Sequence, residues 1–172
     1  MESIKILFLA AVACFWATAC TTSAPADASS DNTNVLAPEK NNSSSADIKS
    51  IFEAVQEFGE YTTRDSVAAY LCKFDKLPTN YVTQNEGKSL YESRKGKTFD
   101  KWNFNPWTTI GVMIGGDKFG NSEGILPKGT YHEADVDYSA KNRGTKRLVY
   151  QSDCVIYYTA DHYESFDKLE IK

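Results

Sequence analysis

Histidine and excess positive charge are both scarce in this chain of 172 residues. It has two histidines, and His132-Glu133 lacks a further histidine at the zinc-hydrolase spacing, so we expect no metal ion and no other cofactor. The net charge is -4, with 19 basic and 23 acidic residues. Three basic and seven acidic residues precede residue 60, so the rest of the chain carries sixteen of each. General affinity for polyanions is not expected, and phosphate binding would need a local cluster.

The apolar run from Ile6 to Trp16 is shorter than the ~20 residues that span a bilayer, which makes a permanent transmembrane helix the weaker interpretation. Lys5 precedes this run and Ala17-Thr18-Ala19-Cys20 follows it, the pattern of an export signal over residues 1–20. The small residues predict a lipoprotein signal with Cys20 as the lipid attachment site, although Ala17 stands where leucine is more usual. The alternative is ordinary cleavage after Ala19. The predicted protein is exported, either secreted or anchored in the bacterial periplasm or at the cell surface.

Large apolar side chains are also rare in residues 21–46, where Ser, Thr, Asn, Ala and Asp dominate, so we expect a disordered linker there. The folded domain is predicted over residues 47–172, which is long enough for a core. Of four cysteines, two belong to the signal and leave Cys72 and Cys154. An even pair in an oxidising compartment predicts a disulfide, and two buried free thiols are the alternative.

Helical spacing of apolar residues dominates the first half of this domain. It predicts one helix from Asp47, as its cap, to Gly59, with Phe58 on the apolar face, and a second from Thr63 to a point before Pro78. A capping box at residues 83–86 starts a short third helix. Strand-like segments follow, at residues 111–114, 132–138, 146–150 and 154–158. Helices first and strands after them indicate the α+β class.

The strand at residues 132–138 alternates, with small or branched apolar residues on one face and three carboxylates on the other. The carboxylates are those of Glu133, Asp135 and Asp137. Such a face cannot be core, and it is usually a solvated sheet face. However, Arg143 and Arg147 lie in the turn and second strand of the following hairpin, where they can meet the carboxylates. His162 follows the last strand and is either a surface histidine or a proton donor.

Several motifs occur in one order: Lys76 to Tyr81, Ile114 to Pro127, Glu133-Ala134-Asp135 and Tyr157 to Tyr163. Together they resemble the barnase-like family of bacterial guanyl-preferring ribonucleases, from about residue 63 to the C-terminus. The resemblance implies N-terminal helices packed on a twisted antiparallel sheet, with the active site on the open face of the sheet. It also brings Cys72 towards Cys154, which supports the disulfide.

The resemblance implies metal-independent cleavage of RNA to a 2',3'-cyclic phosphate, later hydrolysed to a 3'-phosphate. Glu133 would be the base, His162 the acid, and Arg143 and Arg147 the phosphate ligands, roles that suit a carboxylate, an imidazole and guanidiniums. The substrate-binding positions it implies are Phe119, Asn121, Ser122, Glu123 and Tyr163. A barstar-like protein inhibitor and a monomeric state are further expectations.

Two positions depart from the family. Gln84 stands where a lysine assists phosphate stabilisation, which predicts lower turnover unless another cation such as Lys88 reaches the site. Ser122 replaces an arginine of the guanine loop, which affects base affinity and inhibitor binding. The alternative functions are a nuclease toxin against rival cells and a catalytically weakened RNA-binding lipoprotein.

Overall fold

The structure, a computed structural model, describes residues 44–171. The predicted signal, Cys20 and most of the predicted linker lie outside this range. Four helices are present: α1 Ser45–Ala54, α2 Arg64–Phe74, α3 Gln84–Lys95 and α4 Pro106–Ile110. Six strands are present: β1 Tyr81–Val82, β2 Met113–Phe119, β3 Tyr131–Asp135, β4 Arg147–Gln151, β5 Val155–Thr159 and β6 Asp167–Lys168. Between residues 44 and 171, no helix has the length and apolar character needed to cross a membrane.

Helix α1 differs from its prediction at both ends. Ser44, rather than Asp47, is the N-cap. The Asp47 side chain, at the third helical position, accepts a hydrogen bond from Ser44 N, so the two residues form a capping box and the helix starts inside the predicted linker. The helix ends at Ala54, because Gln56 N donates to the Tyr61 hydroxyl at 2.7 Å instead of continuing the helix. Phe58 therefore leaves the helical face and is 83% exposed.

The boundaries of α2 and the start of α3 confirm their predictions because they are set locally. Helix α3 was predicted to be short, but with 12 residues it is the longest of the described helices. The C-cap of α2 is Asp75, in the left-handed conformation, so the helix stops before Pro78 as expected. Thr83 and Glu86 form the predicted capping box of α3. The N-terminal end of α3 is thereby fixed beside β2, where Gln84 N donates to Asp117 Oδ2 at 2.7 Å.

The six strands form one sheet in the order β1-β2-β3-β4-β5-β6. All neighbouring pairs are antiparallel except β1 with β2, which is parallel. Strand β2 runs past the predicted end at Ile114 to Phe119, because its register shifts between Gly115 and Lys118 and the strand continues beyond the glycines. The observed fold is therefore the predicted α+β arrangement of helices on a twisted, mostly antiparallel sheet.

One sheet face is covered and the other is open. Buried residues of α2, such as Ala68 and Leu71, share a core with Leu148 of β4 and Ile156 of β5. A disulfide between Cys72 and Cys154 links α2 to the start of β5, as predicted, with the two Cα atoms 4.4 Å apart. The opposite face carries the polar side chains described next.

Candidate functional site

Strand β3 places two carboxylates on the open face. Glu133 is opposite Val149 of β4 in the antiparallel register, and Asp135 is opposite Arg147. Because side chains alternate along a strand, Glu133 and Asp135 lie on the same face, and the intervening Ala134 is buried on the other. The predicted alternation is confirmed for these residues.

Asp137 does not join them, which corrects the prediction of three carboxylates on one face. The strand ends at Asp135, and Asp137 has a left-handed backbone with φ of 49°. Its side chain accepts a hydrogen bond from Arg64 N at 3.1 Å. The third carboxylate therefore fixes the start of α2 instead of facing the site.

Asp135 is also not a solvated carboxylate, because it is only 1% exposed. Arg143 donates to it from Nε and, at 2.9 Å, from Nη2. The Tyr138 hydroxyl donates to Asp135 Oδ2 at 2.6 Å and accepts from Ile114 N at 3.0 Å. Burial first, and then the charge of Asp135, raise the pKa of Tyr138 well above its ordinary value. A buried ionic network thus underlies the open face.

The two arginines are held differently. Arg147 is 3% exposed, donates from Nη1 to Lys146 O at 2.7 Å and from Nη2 to Gly144 O at 3.1 Å, and forms an ion pair with Asp135 Oδ1 through Nε at 2.8 Å. Arg143 is 12% exposed. Burial alone would lower the pKa of Arg143, but its bonds to Asp135 raise it above the ordinary value. Both side chains were predicted to meet these carboxylates, and their direct partner is Asp135 rather than Glu133.

Glu133 is contacted by uncharged groups. Gln84 Nε2 donates to Oε1 at 3.3 Å, and the Tyr163 hydroxyl donates to Oε2 at 2.5 Å. Arg143 is close enough for the charge of Glu133 to contribute to raising its pKa. Burial first, and then Glu133, raise the pKa of Tyr163. Glu133 is therefore a half-buried carboxylate with positive charge nearby and neutral donors in contact.

His162 lies in an exposed loop after β5. Its ring centroid is 4.6 Å from that of Tyr163, whose hydroxyl reaches Glu133. Asp161 shapes this loop by accepting hydrogen bonds from Thr159 Oγ1 at 2.8 Å and from Ser165 N at 3.0 Å. The hydrogen bonds of Asp161, above all that from the Ser165 hydroxyl, lower its pKa to about 2. The sequence did not assign Asp161 this role.

The predicted base-recognition residues form a loop at the end of β2. Asn121 uses both polar atoms of its side chain on the backbone of Leu126, at 2.9 and 3.1 Å, and so holds the loop closed. Ser122 and Glu123 are exposed beyond this closure. Phe119 lies 5.2 Å from Tyr163, ring centroid to centroid. The loop therefore presents an exposed carboxylate, and it begins at one ring of an aromatic pair.

The residues of this region include both cationic groups and groups of the kinds that exchange protons. The guanidiniums supply positive charge, Glu133 supplies a carboxylate and His162 an imidazole, which are the side-chain types used for acid–base catalysis. Within residues 44–171, no three His, Cys, Asp or Glu side chains form a group that could hold a metal ion. The sequence did not indicate that Asp135 lies at the centre of the ionic network. Its spacing of two residues from Glu133 on one strand indicated only that the two side chains share a face.

Comparison with known proteins places the site inside a recognised region. A family model described as ribonuclease matches residues 64–170, which include Glu133, Arg143, Arg147 and His162. The chain is 40% identical over 111 residues to a ribonuclease of Heyndrickxia coagulans, a match that covers 62% of this chain and 95% of that protein.

Two further relatives extend the comparison. A ribonuclease of Bacillus intermedius is also 40% identical over 111 residues, and the match covers 62% of this chain. It covers 64% of the Bacillus protein, slightly less than two thirds of its length. The guanyl-specific ribonuclease St of Saccharopolyspora erythraea is 47% identical over 55 residues, or 30% of this chain and 54% of that protein.

Proposed function

Because the chain belongs to the ribonuclease family, we propose that it is an endoribonuclease that cleaves single-stranded RNA, preferentially after guanosine. The observation that carries the proposal is the arrangement on the open face of the sheet. Glu133 lies next to the Asp135–Arg143 pair, and Tyr163 connects Glu133 to His162. In the proposal, these residues supply a base, a phosphate ligand and an acid to one phosphodiester.

In the proposed reaction, Glu133 takes the proton of the 2'-hydroxyl while that oxygen attacks the adjacent phosphorus. The bond from phosphorus to the 5'-oxygen breaks, and His162 gives that oxygen a proton. The products are a 2',3'-cyclic phosphate and a free 5'-hydroxyl. In the second step water opens the ring to a 3'-phosphate, with the proton transfers reversed. Each step conserves charge and atoms, and the second step consumes one molecule of water.

Arg143 is the proposed phosphate ligand in this scheme. Its Nε and Nη2 bind Asp135, which leaves Nη1 for the substrate. A guanidinium held by a buried carboxylate is already oriented when charge grows on the phosphate oxygens, so little reorganisation is needed. Arg147 donates from Nη1 and Nη2 to two main-chain carbonyls, and its Nε is close to Asp135 as an ion pair without a hydrogen bond, so we propose that Arg147 acts on the phosphate mainly through its charge.

Guanine preference is proposed from the loop at residues 119–123. A carboxylate such as Glu123 accepts hydrogen bonds from the two N–H groups on the edge of guanine, and adenine cannot offer the same pair. The aromatic rings of Phe119 and Tyr163 offer a surface for stacking. The guanyl-specific relative supports this choice of base.

Export is proposed from the amino-terminal sequence, with Cys20 as the lipid attachment site and a monomeric catalytic domain. The disulfide of Cys72 with Cys154 supports an oxidising location. Labelling of expressing bacteria with radioactive palmitate tests the anchor. Wild-type protein should take up label and Cys20→Ala should not, whereas equal labelling of both would contradict lipid attachment. A barstar-like inhibitor is proposed as a partner and is tested by adding purified barstar to the activity assay.

The activity itself is tested with purified protein, short RNAs and a chelator. Wild type should cut after guanosine, and Glu133→Ala and His162→Ala should each lose at least about a hundredfold in rate. His132→Ala is the matched control, because His132 is bonded to Gly116 O at 3.0 Å and lies on the opposite face of β3, so this variant should keep its rate. Full activity in both site variants would contradict the proposal. RNA binding without cleavage by wild type would favour the binding-protein alternative.

A further inference from the structure

An aromatic cluster, consisting of Tyr91, Phe99, Trp102 and Phe104, joins α3 to the segment between α3 and α4. Trp102 lies at its inner end, with ring centroids 4.6 Å from Phe99 and 5.6 Å from Phe104. It also packs against the buried side chains of Ile110 and its neighbours on β2. The indole is therefore fixed on several sides by residues outside the proposed catalytic group.

The remaining face of Trp102 is turned towards the site. The Cζ atom of Arg143 lies 5.4 Å from the centroid of the indole, the distance of a cation–π contact. The edge of the same guanidinium binds Asp135. Arg143 is thus held by two contacts of different kinds, one by a carboxylate at its edge and one by an aromatic ring at its face.

Arg147 provides an internal comparison. It is held by two main-chain carbonyls and by Asp135. Of the two arginines of this site, Arg143 is the one that lies over an aromatic ring among the described residues, and that ring is Trp102. The arginine with the freer nitrogen is therefore the one that needs an aromatic support. Without Trp102, the long side chain of Arg143 could rotate about Asp135 and lose its orientation towards the phosphate.

We propose that Trp102 is a positioning residue that holds the guanidinium of Arg143 in place for the phosphate of the substrate. This inference rests on the proposed ribonuclease activity. Fixing a charged group before the substrate arrives lowers the barrier of the step in which charge grows, so the effect falls mainly on kcat. Loss of the aromatic face should reduce kcat by about tenfold, the change that corresponds to a cation–π contact of ordinary strength in a partly buried place.

The variants separate positioning from folding. Trp102→Leu removes the aromatic face, and Trp102→Phe keeps one. Phe should restore most of kcat, because Trp102 Nε1 has no hydrogen-bond partner among the described residues and none is lost. Trp107→Leu is the matched control, since Trp107 is also a half-buried indole but Arg143 lies over Trp102. It should leave kcat unchanged even if the melting temperature falls.

A double-mutant cycle decides whether Trp102 acts through Arg143. In an Arg143→Gln background, Trp102→Leu should cause no further loss of kcat on the dinucleotide GpU. Independent losses that multiply in the double variant would overturn the proposal.

A second readout does not depend on catalysis. With ¹⁵N-labelled arginine, the Nε–H resonance of Arg143 should shift and exchange faster with water in Trp102→Leu, while that of Arg147 stays unchanged. An unchanged Arg143 resonance would overturn the proposal. If wild type fails to cleave RNA, the proposed function fails, and the spectrum still decides whether Trp102 orients Arg143.

Discussion

Replacing Asp135 by asparagine is the perturbation that most directly probes the buried network. The carboxylate is 1% exposed and pairs with Arg143 and Arg147, whose side chains are 12% and 3% exposed. Asn has almost the same shape, so packing is preserved. Its amide is neutral, however, and two buried guanidiniums lose their counter-charge. Removing one partner of a buried ion pair costs about 3–5 kcal/mol.

The assay is equilibrium unfolding in urea, followed by circular dichroism. With a slope of about 2 kcal/mol per molar for a domain of this size, the midpoint should fall by roughly 2 M. Asp137→Asn is the control, because Asp137 is 26% exposed, lies 3.9 Å from Lys146, and tolerates Asn at its positive φ, so its cost should stay below about 1 kcal/mol. A loss below about 1 kcal/mol for Asp135→Asn would refute the network as a source of stability.

Three further predictions concern other parts of the structure. Gln84→Lys should raise kcat/KM for GpU by about tenfold or more. Gln84 Nε2 lies 3.3 Å from Glu133 Oε1, so an ammonium group at this position adds positive charge beside the phosphate. An unchanged or lower kcat/KM would count against this prediction. Replacing both Cys72 and Cys154 by alanine should lower the free energy of unfolding by about 4 kcal/mol, because the disulfide closes a loop of 82 residues. Reduction of the wild-type disulfide should remove the difference in stability between the two proteins. Asp161→Ala should lower the melting temperature more near pH 6 than near pH 2. The pKa of Asp161 is depressed to about 2 in the folded state. Its contribution to the free energy of unfolding is therefore fully present above the unfolded pKa of about 3.9 and is lost as the pH falls through about 2. An equal change in melting temperature at both pH values would argue against this role.

Features set by neighbours in the sequence were predictable. The capping box of α3 at Thr83 and the stop of α2 before Pro78 depend on residues within one turn, and both are confirmed. The same holds for the alternation of β3, which placed Glu133 on the open face. The resemblance to a family then assigned the proton-transfer roles of Glu133 and His162, which remain predictions for this chain.

Features set by distant parts of the chain were not predictable. Helix α1 ends early because Tyr61 takes the place of a helical acceptor and Lys73 of α2 binds the carbonyl of Val55 at 2.8 Å. The contact of Arg143 and Arg147 with the carboxylates of β3 was predicted, but the burial of Asp135 beneath them was not, because composition alone makes such a carboxylate a surface residue. Strands β1 and β6 have two residues each, too few for any alternation to be visible. The contact between Arg143 and Trp102 joins two distant segments, and no sequence motif or periodicity links them.

The central claim is that residues of this open face cleave RNA by acid–base catalysis through a 2',3'-cyclic phosphate. It is tested most directly by ³¹P NMR during cleavage of GpU by the purified protein. The account predicts that the resonance of guanosine 2',3'-cyclic phosphate appears first and then converts to that of the 3'-phosphate, and that Glu133→Ala suppresses the first conversion. Direct appearance of a 5'-phosphate, with no cyclic intermediate, would contradict it.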